Sequence, residues 1–151
     1  MSNQNETSYN FKPVKEGELY RSAQPSREFF IYLKEKYKIK TIINLRTKVN
    51  QYEMEFAKEN NINLFKIPLF HFIIGLNRKN TLFFLNLFEN KNNLPILIHC
   101  RQGKDRTGAM IALFRLFHQK WKWKDVYSEM EENKVSLFWR LSIRTKRLWK
   151  L

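Results

Sequence analysis

Pro95-Ile-Leu-Ile-His-Cys-Arg-Gln-Gly-Lys-Asp-Arg-Thr-Gly108, running straight into Ala-Met-Ile-Ala-Leu-Phe114, is the stretch on which the fold turns. Ile96 to Ile98 is a short apolar run that reads as a buried strand. A loop containing Gly103 follows, and a helix begins near Thr107. The chain's one cysteine, Cys100, stands at the strand's end and Arg106 at the helix start, with five residues between them. A loop of that length, closed onto a helix N-terminus, turns successive backbone N–H groups inward as an anion nest. Arg106 adds a planar fork of donors that matches two phosphate oxygens. A thiol under the same positive field is poised to act as a thiolate. One loop thus offers a nucleophile and a cradle for a transferring phosphoryl group.

A lone cysteine at a strand end is more often a small buried hydrophobe, and strand–Gly-loop–helix turns are common in α/β proteins. The joint pattern His-Cys-x5-Arg-Thr-Gly, set between an apolar strand and an apolar helix, favours the chemical reading. Sulfur-transfer domains also build a cysteine-led anion loop, typically a shorter one. An arginine at the sixth position after the cysteine favours phosphate.

The segment resembles the signature loop of the cysteine-based protein tyrosine and dual-specificity phosphatases, in a compact branch whose loops carry Gly-Lys-Asp-Arg-Thr. Leu19-Tyr-Arg-Ser-Ala-Gln-Pro25 is similar to that branch's opening strand, and Lys40-Thr-Ile-Ile-Asn-Leu-Arg46 to its second strand. Trp121 to Met130 is similar to the helix after the loop, so the resemblance runs from about Glu18 to Glu132. It implies a three-layer α/β fold with a central, mostly parallel sheet of four or five strands and helices on both faces. It also implies hydrolysis of phosphate monoesters through a cysteinyl-phosphate on Cys100, with Arg106 and the loop N–H groups holding the equatorial oxygens. Within that scheme His99 braces the loop from behind and the Thr107 hydroxyl bonds the departing sulfur. Gln102 and Gly103 contribute to the cradle. Arg101 and Lys104 place charge at the rim, or are ordinary solvated side chains. Extra rim cations suit phosphoinositides or inositol polyphosphates as well as phosphoproteins. No metal or other cofactor is implied; His71, His99 and His118 are too scattered for a metal site.

Composition agrees with one globular unit. The 151 residues are 43% apolar and 15% aromatic, enough for a real core. No apolar run approaches about 18 residues, and Met1 to Asn10 lacks a basic-then-apolar leader. Together with the single cysteine this gives the expectation of a monomeric cytoplasmic protein. A net charge of +14 favours polyanionic partners, or reflects a lysine-rich sequence style. Charge alone is also what an RNA 5′-phosphatase or RNA binder would rest on. A catalytically silent phosphate-binding module is the alternative that keeps the nest without turnover.

Along the chain, residues 1–12 read as a loose arm and 13–151 as a single phosphatase domain. Glu18 to Arg21 starts a strand, and Ser26 caps a helix over Arg27 to Tyr37 with Phe29, Phe30 and Leu33 on one face. Thr41 to Leu45 is a buried parallel strand. Arg46 at its end is either a substrate contact at the ligand-bearing sheet edge or a surface arginine. A helix over Val49 to Asn60, a strand over Ile62 to Leu69, a loop from His71 to Asn77 and a helix from Thr81 to Phe88 lead into the central motif. Its helix buries Met110, Ile111, Leu113, Phe114 and Phe117. In the tail, Ser136 to Leu151, Leu137, Phe138, Leu141, Leu148 and Trp149 gather on one side. Arg140, Arg144, Lys146, Arg147 and Lys150 gather on the other, with Trp139 and Ile143 interrupting them. Such a helix either closes the core with its apolar side or lies on an anionic membrane.

The general acid is where the sequence leaves the best-known family pattern. Residues 67–77, where an aspartate is expected, hold no carboxylate, and the chain has only Asp105 and Asp125. Asp105, inside the loop, is the candidate acid; the other reading makes it a brace for Arg106 or the backbone. His71 is the runner-up, being titratable near neutrality.

Overall fold

A computed structural model of the chain describes residues 3–70 and 76–151. Five strands form one sheet in the order β1-β2-β5-β3-β4: β1 Lys12–Lys15, β2 Leu19–Ser22, β3 Thr41–Asn44, β4 Asn63–Lys66 and β5 Ile96–His99. Only the β1–β2 pair is antiparallel. β5 is central, its register set by Leu19 and Thr41 flanking Ile96 and by Ser22 and Asn44 flanking His99. Buried on both faces, β5 and β3 read as near-continuous apolar runs, as central parallel strands do.

Period-2 alternation divides the core. Tyr20, Ile42 and Leu97 face one side, against α2 (Arg27–Tyr37) and α3 (Gln51–Glu59). Leu19, Ile43, Ile96 and Ile98 face the other. There they meet α4 (Arg78–Asn86), α5 (Asp105–Leu113), α6 (Trp123–Glu132) and α7 (Leu137–Lys146). The three-layer α/β expectation holds. As expected, the Ser26 hydroxyl caps α2, accepting from the Phe29 N–H at 3.2 Å, and Phe29, Phe30 and Leu33 are buried. Met110, Ile111, Leu113 and Phe114 are buried and Phe117 partly so. Gly108 lets α5 approach the turn before α7, where a Cβ would lie 2.3 Å from a Val135 methyl. Among the described residues no helix is long and apolar enough to cross a membrane.

Two expectations fail. The segment 1–12 is not a loose arm where it is described. Asn3–Ser8 forms a helix, α1, and Tyr9 stacks on Phe29 with centroids 4.2 Å apart. Phe11 is 6% exposed. The Glu6 carboxylate accepts from Tyr37 at 2.6 Å, Tyr32 at 2.7 Å and Lys36 at 2.8 Å. A polar six-residue helix has little stability of its own; the aromatic floor supplies it. The tail helix is also rotated from its expected setting. The core receives Trp139, Ser142 and Ile143, while Leu137, Phe138 and Leu141 stand exposed.

Candidate active site

The phosphate-type loop is held open from outside. Its carbonyls are claimed by the segment before α2: Arg101 O accepts from the Gln24 N–H at 3.2 Å. Gly103 O accepts from Arg21 Nη2 at 2.7 Å and from Asn10 Nδ2 at 3.2 Å, and Gln102 O from Asn10 Nδ2 at 3.4 Å. With those carbonyls turned outward, N–H groups turn inward; that of Gly103 donates to Cys100 Sγ at 3.2 Å. Gly103 has φ +67°, and a Cβ there would sit 2.5–2.6 Å from the backbone of Ser22 and Ala23. Only glycine fits. The Lys104 carbonyl accepts from the Gly108 N–H at 2.7 Å, which starts α5.

Cys100, 2% exposed, lies at the floor of a cavity of about 270 Å³ that Arg101, Gln102, Asp105, Arg106 and Trp139 also line. A second cavity, about 210 Å³, is lined by Arg46, Thr47, Leu69, Phe70, Arg101 and Arg106. The two share Arg101 and Arg106, so Arg46 lines a cavity that adjoins the one holding the thiol. Arg46 is fixed by donation from Nη1 to Gln24 Oε1 at 2.7 Å, with its own N–H on Asn44 Oδ1 at 2.8 Å. Behind the loop Arg21 is 3% exposed. Burial draws its guanidinium down to about 10, against the pull of Glu129 and Cys100. It therefore remains a cation at neutral pH.

Beneath the loop lies a polar cluster. His99 and Glu53 are both fully buried, with His99 Nε2 2.9 Å from Glu53 Oε1. Asn44 Nδ2 donates to both Glu53 oxygens at 3.1 and 3.0 Å, and Gln24 Nε2 to Oε2 at 3.1 Å. Burial alone would raise the Glu53 pKa, but the bond and charge of His99, with the two amides, hold it below the ordinary value. An ionised carboxylate can only accept, so Nε2 of His99 carries the hydrogen. The neighbour of the nucleophile is thereby locked in one orientation.

The proposed residues fall into three groups. Cys100, Arg101, Gln102, Asp105 and Arg106 meet in the first cavity and Arg46 joins from the second. Asp105 also accepts the Ser136 N–H on Oδ1 at 2.7 Å, tying α5 to the start of α7. Lys104 departs from expectation. Its side chain lines a different cavity with Asn10, Lys12 and Asn133, because the carbonyl-out turn at Gly103 carries it to the loop's far side. The Thr107 hydroxyl is buried with no hydrogen-bond partner among the described residues, so it does not bond the sulfur here. The candidate acid His71 lies outside the described residues. No cluster of three or more metal-ligating side chains occurs among the described residues.

The residues missed by sequence reasoning are Arg21, Gln24, Asn44, Glu53 and Trp139. One signal was present: Glu53 shares the inward face of α3 with Phe56 and Ala57, where an acid needs a partner.

Comparison with known proteins places this geometry. The inositol diphosphatase SIW14 of Saccharomyces cerevisiae is 34% identical over 121 residues, 75% of this chain and 41% of that protein. The inositol diphosphatase DSP3 of Arabidopsis thaliana is 33% identical over 139 residues, 87% of this chain and 64% of that one. This chain thus spans less than two thirds of either relative. The crystal structure of the core catalytic domain of the S. cerevisiae PP-IP phosphatase SIW14, in complex with citrate, superposes with a TM-score of 0.79 at 31% identity. The match covers 90% of this chain and 84% of that one. The sequence model described as the tyrosine phosphatase family matches residues 7–134, the whole of the sheet and the Cys100–Arg106 loop, and the chain belongs to that family.

Proposed function

We propose that the chain is a cysteine-dependent phosphatase that removes a phosphoryl group from a multiply phosphorylated substrate, of the inositol polyphosphate or phosphoinositide kind. The observation that carries the reading is Cys100 in one cavity with Arg106 and Asp105, its Sγ accepting the Gly103 N–H at 3.2 Å. The paired cavities sharing Arg101 and Arg106 favour a substrate with a second anionic group beside the reacting one. The names carried by the SIW14 and DSP3 relatives support the same class.

In the proposed chemistry the Cys100 thiolate attacks phosphorus, the S–P bond forms and the bond to the leaving oxygen breaks. The Asp105 carboxyl gives that oxygen a proton. Loop N–H groups and Arg106 hold the three equatorial oxygens as charge shifts among them. Water then attacks phosphorus, Asp105 takes back a proton, and breaking of S–P frees phosphate and restores the thiolate. The described residues act as one phosphatase domain in this reading, the N-terminal helix included, in a reducing compartment such as the cytoplasm. The basic tail serves as a surface for anionic partners, while Ser136 and Trp139 within it border the catalytic cavity.

The test is a substrate panel of aryl phosphate, phosphotyrosyl peptide, inositol polyphosphates, phosphoinositides and triphosphorylated RNA. The expected result is phosphate release, fastest from inositol-based substrates and absent in Cys100→Ser. Binding without release would mark a silent module, and RNA turnover alone a different substrate class.

A further inference from the structure

Helix α7 has two apolar sides, and the core uses only one. Trp139 and Ile143 are 5% and 0% exposed. Leu137, Phe138 and Leu141 are 54%, 38% and 46% exposed, and Leu148, just past the last turn, is 75% exposed. At 3.6 residues per turn Leu137, Leu141 and Leu148 fall on one line opposite Trp139 and Ile143, with Arg144 beside it. From Asn133 to Leu151 the chain has six lysines and arginines and no acidic residue. Arg140 is engaged with Glu131 and Tyr127, Lys146 lies over Trp149 and Arg147 over Trp123. Arg144 and Lys150 stand in solvent.

This charge pattern chooses between occupants. Two-fold pairing of α7 with a second copy would set its cations against the same cations, with no carboxylate to relieve them. A zwitterionic or anionic bilayer accepts the leucines and phenylalanine equally, but only anionic headgroups answer the cations. We propose that the outer face of α7 is an interfacial anchor for anionic bilayers. Leu137, Phe138, Leu141 and Leu148 enter the acyl boundary, and Arg144 and Lys150 meet the headgroups. The anchor is joined rigidly to the catalytic loop, since the Ser136 N–H is held by Asp105 and Trp139 lines the cavity. The two helix functions foreseen as alternatives, core closure and membrane contact, belong to opposite sides of one helix.

The experiment is co-sedimentation of the full chain with phosphatidylcholine vesicles, with and without about one third phosphatidylserine. Binding is expected to the anionic vesicles alone, and to weaken steeply with added salt. Leu137→Ser/Phe138→Ser/Leu141→Ser should bind at least about tenfold less, with an unfolding midpoint close to that of wild type, because Leu137 and Leu141 are about half exposed and Phe138, edge-on to Trp139, is 38% exposed. Arg144→Gln/Lys150→Gln provides an independent variant, with a loss of about fivefold per charge. Three results would overturn the anchor: wild type that ignores anionic vesicles, variants that bind like wild type, or a dimer in light scattering that the triple variant makes monomeric. The outcome does not depend on phosphatase turnover.

Discussion

Glu53 and His99 come from a helix and a strand that are 46 residues apart in sequence, yet meet at 2.9 Å with both side chains fully buried. The contact fixes the residue that precedes Cys100, which makes Glu53 the expected support of the nucleophile's loop through the histidine. Glu53→Gln keeps the volume but weakens the acceptor, and should cost on the order of 2 kcal/mol of stability. Its folded pKa is depressed, so its contribution is present above the ordinary carboxylate range and lost as pH falls through the folded value. Denaturation curves should therefore show the gap between wild type and variant shrinking below about pH 4.5. A gap that stays constant in acid would remove Glu53 from this role.

Gly103→Ala tests the carbonyl-out loop. The new methyl would meet Ser22 and Ala23 backbone at 2.5–2.6 Å, and the positive φ disfavours any side chain. A stability loss on the order of 2 kcal/mol is expected from the strain. Phosphate affinity should fall as well, because relief requires moving the peptide whose N–H reaches Sγ. Isothermal titration with inorganic phosphate measures this directly. Unchanged affinity would mean that the nest tolerates the shift.

What the sequence disclosed was local. Ile96–Ile98, the Cys100–Arg106 spacing and the Ser26 cap each signal their structure within a few residues, so sheet, loop and α2 were legible. The rest depends on contacts distant in sequence. α7 carries two apolar lines, and which one faces inward is settled by packing against α5 and α6, where Val135 lies over Gly108. Glu53, Asn44, Gln24 and His99 converge only once β2, β3 and β5 align. Lys104 looked like a rim cation because it lies in the loop, but the turn at Gly103 sends it to the far side.

The N-terminal segment offers a second pH test. At Glu6 burial opposes ionisation, but Lys36, Tyr37 and Tyr32 together hold its pKa below the ordinary value. Its share of stability, about 1 kcal/mol for such a half-exposed cluster, is present above that range and lost on acidification through the folded pKa. Tyr37 responds in the opposite direction: burial, and then the Glu6 bond, push it up to about 12. In Glu6→Gln the phenol should titrate lower in an absorbance titration, and proteolysis ahead of Phe11 should quicken. An unshifted phenol would show that the carboxylate does not govern it.

Asp105 remains the residue with two duties to separate. It lines the cavity with Cys100 and Arg106, as a proton donor must, and its Oδ1 accepts the Ser136 N–H, as a brace would. The bond uses one oxygen of two, so both duties are compatible. They differ in leaving-group dependence. A donor matters only where the departing oxygen needs a proton, and such help is typically about 10²–10⁴-fold. Asp105→Asn retains an acceptor for Ser136 but has no acidic proton. It should slow alkyl or inositol phosphate cleavage by about that factor while sparing an aryl phosphate whose leaving group is already a stable anion. Asp105→Ala removes the acceptor too, and should in addition lower the unfolding midpoint. If Asp105→Asn spares both substrates, or slows both equally, the carboxylate is a brace alone. If instead His71→Asn gives the selective loss, the proton comes from the 67–77 segment.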